Sequence, residues 1–229
     1  MTSEMEHAGD PTVAPFVPTL RFEHALWLRG FTHIAGIDEA GRGAWAGPVV
    51  AGAVILPRVH HIKQWWLDAA LRDVARARDS KLLSPAQRDA LYEPIRACAR
   101  AAATGWATND EIDALGIVAA TRLAMQRALA ALTLAPDALL IDALKLPAIH
   151  LPQQAIIRGD RMSLSIACAS ILAKVTRDRI MSELDAQLPG YAFARHKGYG
   201  TAAHRAALAT LGVSRAHRRT FAPVSACER

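Results

Sequence analysis

The sequence predicts an α/β chain, a mixed sheet flanked by helices and followed by a helical C-terminal appendage. Short apolar runs at 34–37, 49–56 and 138–141, fenced by Gly, Pro or acidic residues, read as buried strands. Stretches with helical apolar spacing alternate with them from Ser84, Asn109 and Ser163 onward. At 229 residues and 52% hydrophobic content the chain is one soluble, globular domain, with or without an appendage.

Residues 1–20 carry Pro11, Pro15 and Pro18, three acids and no Lys or Arg, and are expected to be a flexible tail. The runs 34–37 and 49–56 are joined by a Gly- and Pro-punctuated, hairpin-like connection. Residues 60–78 read as an amphipathic helix whose Trp65 and Trp66 either pack or stack on bases. Ser84, Pro85 and Gln87 make a capping box that starts a helix running to about Ala103, with a kink at Pro94. Thr104–Thr108 is a strand candidate, and one long helix is expected from Asn109 to Leu132. The strand at 138–141 ends in Asp142, and a shorter one at 155–157 leads into Arg158-Gly159-Asp160. A helix from Ser163 to about Leu184 follows.

No apolar run reaches the roughly 18 residues of a membrane span, and no secretory signal is visible. Cys98, Cys168 and Cys227 lack C-x-x-C spacing, which argues against a disulfide framework or zinc site and suits a reducing, cytoplasmic setting. Residues 195–229 hold seven Lys/Arg and one acid, which accounts for the +6 of the whole chain. A basic end on a neutral body suggests a polyanion-facing side, or a solvated helical face. Arg215, Arg218 and Arg219 are expected to face, or help support, a phosphate track.

The chemistry is concentrated at strand ends. Asp38 and Glu39 close the first strand, and Gly41-Arg42-Gly43 follows at once. Carboxylates there need a cation or a catalytic task, unless they form only a solvated turn. The glycines admit close backbone approach, and Arg42 suits phosphate. The spacing is neither G-x-G-x-x-G nor a P-loop. If the 138–141 strand lies beside the first, Asp142 approaches Asp38.

Ile37-Asp38-Glu39-Ala40-Gly41-Arg42-Gly43, followed by Ala46-Gly47-Pro48-Val49-Val50, resembles the signature of ribonuclease HII. Further resemblances come in order: Asp79-Ser80-Lys81, Glu111 to Ile117, Gly159-Asp160 with Ser165 to Asp178, His196 to His204, and His217 to Phe221. They span 34 to about 224. Leu82 stands where the family has a second Lys, and Leu188 where a Tyr is usual.

The resemblance implies a ribonuclease H-like catalytic domain over 21–188, with a basic segment at 189–229 packing on it. Asp38, Glu39, Asp142 and Asp160 would hold two Mg²⁺ or Mn²⁺ ions, Asp178 being assigned instead to an ion pair with its arginine neighbours. Gly41, Arg42, Gly43, Ser80, Lys81, Lys174 and Tyr199 would bind substrate. The implied partners are RNA–DNA hybrid and duplex DNA carrying a ribonucleotide, cut by a monomer to leave 3′-hydroxyl and 5′-phosphate ends. A resolvase- or exonuclease-like DNA enzyme, a non-catalytic nucleic-acid module and a small-substrate phosphatase are the competing classes.

Overall fold

The computed structural model describes residues 17–59 and 62–227. A five-stranded sheet holds β1 (Ile34–Ala40), β2 (Val49–Ile55), β3 (Ala101–Ala107), β4 (Ala138–Asp142) and β5 (Gln153–Ile156). Their order is β3-β2-β1-β4-β5. The pairs β1–β2 and β2–β3 are antiparallel, whereas β1–β4 and β4–β5 are parallel, so the sheet is mixed as expected.

Side chains alternate between two cores. Val54, Ala138 and Leu140 pack under α1 (Arg21–Leu28), α2 (Pro85–Cys98) and α5 (Leu164–Gln187). On the opposite face Ile37, Ala51, Ala53 and Ile141 meet α3 (Asn109–Leu115) and α4 (Ile117–Ala130). The first three turns of α5 are buried nearly all round, because glycines on β1 and β2 let its backbone touch the sheet. A Cβ at Gly36 would lie 2.3 Å from the Ser165 carbonyl carbon, and one at Gly52 would lie 2.3 Å from the Ala169 oxygen.

Several expected boundaries move. Residues 62–78 form short 3₁₀ turns, Ile62–Leu67 and Arg72–Val74, in place of one helix. The Asp68 carboxylate accepts the Ala70 N–H and turns the chain instead of propagating it. Trp65 is buried and Trp66 half exposed, edge-on to each other. Helix α2 carries Pro94 within it and stops at Cys98, because residues from Ala101 on pair with β2. The long 109–132 helix is broken at Gly116, whose φ of 78° closes α3 and opens α4. The Ser84–Gln87 capping box is present as read. Most of the expected tail, residues 1–16, lies outside the described residues.

The chain ends in α6 (Phe193–His196), α7 (Ala202–Leu211) and α8 (Ala222–Ser225). Tyr191, Phe193 and Ala216 join Ala46 and Met181 in a small third core. His196, His204 and His217 cluster beside it, with 3.0 Å between the Nε2 atoms of His204 and His217. No described helix is long and apolar enough to cross a membrane.

Candidate active site

Register builds the acid cluster. Ile37 of β1 pairs with Ile141 of β4, so the next residues, Asp38 and Asp142, emerge side by side at the ends of parallel strands. Alternation sends both toward the α5 face. Asp160 arrives from the 3₁₀ turn Gly159–Arg161 that feeds α5, and the Gly159 N–H donates to Asp142 Oδ1 at 2.7 Å.

The electrostatics agree with this crowding. Burial, then the charges of Glu39 and Asp142, pushes the Asp38 carboxyl well above its usual range. Burial also raises Glu39, against the pull of Arg42, and it raises Asp142. Asp160 is pushed up to about 6 by burial and by repulsion from Asp79 and Asp142. Glu39 Oε1 accepts from Arg42 Nη1 at 3.2 Å, while its buried Oε2 has no protein partner.

The residues fit a hard cation. All donors are oxygens, one buried oxygen is orphaned, and mutual repulsion raises the acids. Among the described residues no three His, Cys, Asp or Glu side chains converge into a ready cage. Mg²⁺ does not need one, since it keeps waters and takes one or two carboxylates plus substrate oxygens.

The other expected residues divide. Gly41, Arg42 and Gly43 form the loop leaving β1, with Gly41 buried and Gly43 exposed. Ser80 is buried, its Oγ accepting from the Ser170 hydroxyl at 3.0 Å, and exposed Lys81 lends positive potential to Asp142 and Asp160. Tyr199 is about a third exposed above the Arg177 guanidinium, 5.3 Å from its ring centre. Lys174 is turned aside, its ammonium donating to Asp178.

One expectation about charge needs correcting. Asp178 does sit in ion pairs, but with Lys174 and Arg88. Its chain neighbours go elsewhere: Arg177 is buried on backbone carbonyls, and Arg179 pairs with Asp89. Of the three arginines expected to face or help support a phosphate track, Arg218 is fully buried beneath the glycine loop, whereas Arg215 and Arg219 are exposed. One acid of a quoted motif was left out of the expected site residues. Asp79, at 1% exposure, borders Asp160 and is held by the Arg161 fork at 2.8 and 3.0 Å. Burial pulls Asp79 up, but the Lys81 N–H and Arg161 outweigh it and keep it below the usual carboxylate range. Its place at the head of Asp79-Ser80-Lys81 was the available signal.

A mixed five-stranded sheet with acids gathered at the ends of its central parallel pair defines a ribonuclease H-like enzyme. Solved structures share the fold: ribonuclease H2 from Pyrococcus horikoshii OT3 aligns with TM-score 0.67 and 24% identity over 85% of this chain and 96% of that one. The Archaeoglobus fulgidus protein of a PCNA:RNase HII complex aligns at 0.65 and 23%, over 86% and 97%. The family model described as Ribonuclease HII matches residues 35–224. A ribonuclease HII of Dehalococcoides mccartyi is 53% identical over 211 residues, 92% of this chain and 96% of the relative. One of Chloroflexus aurantiacus is 54% identical over 209 residues, 91% and 95%. The chain belongs to the ribonuclease HII family and is an endoribonuclease acting on the RNA of RNA–DNA hybrids.

Proposed function

We propose that Asp38, Glu39, Asp142 and Asp160 hold two divalent ions, Mg²⁺ or Mn²⁺, and that the enzyme also cuts at single ribonucleotides embedded in duplex DNA. The observation that carries this is the register that sets Asp38 beside Asp142, with Asp160 pushed up to about 6 between Asp79 and Asp142. Such crowding is relieved by cations. When bound, a pair of ions supplies an activated water and relief of charge on the leaving oxygen. A neighbouring fold, the Bst-RNase HIII structure, was solved in complex with Mn²⁺.

The chain's own residues then choose and orient the strand. The backbone at Arg42–Gly43 follows closely on the acids and, with Gly43 exposed and uncrowded, would meet the ribose 2′-hydroxyl, the group that marks RNA. Tyr199, stiffened from below by Arg177, offers a flat face for the adjoining sugar. Lys81 contributes positive potential at the mouth. Asp79 and Arg161 fix the Asp79–Lys81 turn against Asp160.

The test is cleavage of labelled DNA, RNA, hybrid and single-ribonucleotide duplexes, with and without Mg²⁺ or Mn²⁺. Metal-dependent cutting of the last two, leaving 3′-hydroxyl and 5′-phosphate ends, supports the proposal. Cutting of all-DNA duplex, or 2′,3′-cyclic phosphate ends, refutes it.

A further inference from the structure

Two arginines lie fully buried, Arg177 on α5 and Arg218 beyond α7, and their hydrogen bonds run to backbone carbonyls instead of carboxylates. A buried cation without an acid is costly, so its geometry calls for a reason. Asp113 attracts Arg218 only from a distance, its own oxygens being taken by the N–H groups of Arg219 and Thr220. Burial and the Arg177 charge depress Arg218 to about 9, which leaves it cationic at neutral pH.

The carbonyls that Arg218 holds are specific ones. Its Nη2 donates to Gly41 O at 2.7 Å, its Nη1 to Arg42 O at 2.8 Å, and its Nε to Gly47 O at 3.0 Å. In a trans peptide the C=O and the following N–H point in opposite directions. Turning the Gly41 and Arg42 oxygens down onto the guanidinium therefore turns the N–H groups of Arg42 and Gly43 up. Neither N–H meets an acceptor among the described residues. A Cβ placed on Gly43 meets nothing within 4 Å, and Gly43 is exposed. Neighbouring donors are consumed: Trp45 N–H by Gly198 O and Gly47 N–H by Ala216 O, each at 2.8 Å.

Arg177 supplies the contrast. It binds the carbonyls of Ala46, Pro48 and Lys197. The N–H that follows Ala46 goes to Ala216 O, and the one that follows Lys197 goes to His196 Nδ1. Arg177 thus ties segments together without freeing a donor there.

We infer that Arg218 is a positioning residue for ribose recognition: by gripping the Gly41 and Arg42 carbonyls from beneath, it presents the Arg42 and Gly43 N–H groups as a two-donor site for the 2′-oxygen. The guanidinium also polarises both peptides and makes them stronger donors. This rests on the reading of the loop proposed above.

The experiment compares Arg218→Lys, Arg177→Lys and a protein with glycolate in place of Gly43, which swaps that N–H for an ester oxygen. For each, kcat/KM on a single-ribonucleotide duplex, the inhibition constant of the all-DNA duplex of the same sequence, and Tm are measured. Loss of one or two oriented hydrogen bonds predicts that Arg218→Lys lowers kcat/KM about 10- to 100-fold. The DNA inhibition constant should stay within about threefold, because the donors read ribose rather than duplex. Arg177→Lys should lower Tm and move both constants together. An unchanged ratio of the two constants in Arg218→Lys overturns the inference. If that happens while glycolate at 43 still abolishes ribose preference, the loop reading survives without Arg218; if glycolate at 43 has no effect, the loop reading itself falls. Arg218→Ala with added ethylguanidinium covers poor folding of the lysine variant. Recovery of ribose preference with ethylguanidinium but not ethylammonium supports the role, and recovery of Tm alone refutes it.

Discussion

Gly41 shows how much the site depends on single positions. Its φ of 95° disfavours any side chain, and a Cβ there would sit 2.0 Å from Arg177 Nε. Gly41→Ala should cost at least about 2 kcal/mol by denaturant melts, and should lose activity with stability. His217 contributes to the pH response. Burial, then the neighbouring His204, lowers it to about 4. The folded protein therefore binds fewer protons than the unfolded chain between about pH 6.5 and 4. This contribution is present above pH 6.5 and is lost as pH falls through that window. Relative to His217→Gln, the wild-type Tm should drop by several degrees more between pH 7 and 4.5; parallel curves would contradict this. The acids at strand ends could be read in the sequence because a carboxylate closing an apolar run is conspicuous. The buried arginines could not, since nothing in a basic sequence pattern distinguishes a guanidinium on carbonyls from one in solvent.

At the scale of elements, α5 organises the molecule by lying directly on β1 and β2. Gly52→Ala would push a methyl into the Ala169 carbonyl, backbone that cannot rotate away. It should cost about 1–3 kcal/mol and reduce turnover too, because the Asp160 turn leads into α5. Restoration of stability without turnover by a distant stabilising change would show that the helix also sets site geometry. The strands β1, β2 and β4 were legible as apolar runs buried on both faces, and α2 as a capping box. The break at Gly116 and the 3₁₀ turns of 62–74 were not, because apolar spacing continues through both and only local backbone conformation interrupts it. The buried Glu23 of α1 was also silent in sequence. Its Oε1 accepts from the Ser163 and Ser165 hydroxyls at 2.7 Å, pinning α1 to the start of α5.

Across the whole molecule, the basic end divides into buried and exposed parts. Arg218 supports the loop, while Arg215 and Arg219 stay at the surface, Arg215 donating to Gln187 at 2.8 Å. Each phosphate contact adds about 0.9 to the slope of log affinity against log salt. Arg215→Gln with Arg219→Gln should flatten that slope for hybrid binding by up to about 1.8, with turnover at saturating substrate unchanged; an unaltered slope removes both from the phosphate track.

The proposed acid site exists only when the fold is complete, because its four carboxylates come from β1, β4 and the turn before α5. The most direct test of that assembly is single-turnover cleavage and binding of RNA–DNA hybrid by Asp142→Asn, beside Asp178→Asn. Asp142→Asn should cut turnover by orders of magnitude while hybrid binding survives, and Asp178→Asn, losing its pairs with Lys174 and Arg88, should turn over at close to the wild-type rate. Near wild-type turnover in Asp142→Asn would contradict that assembly.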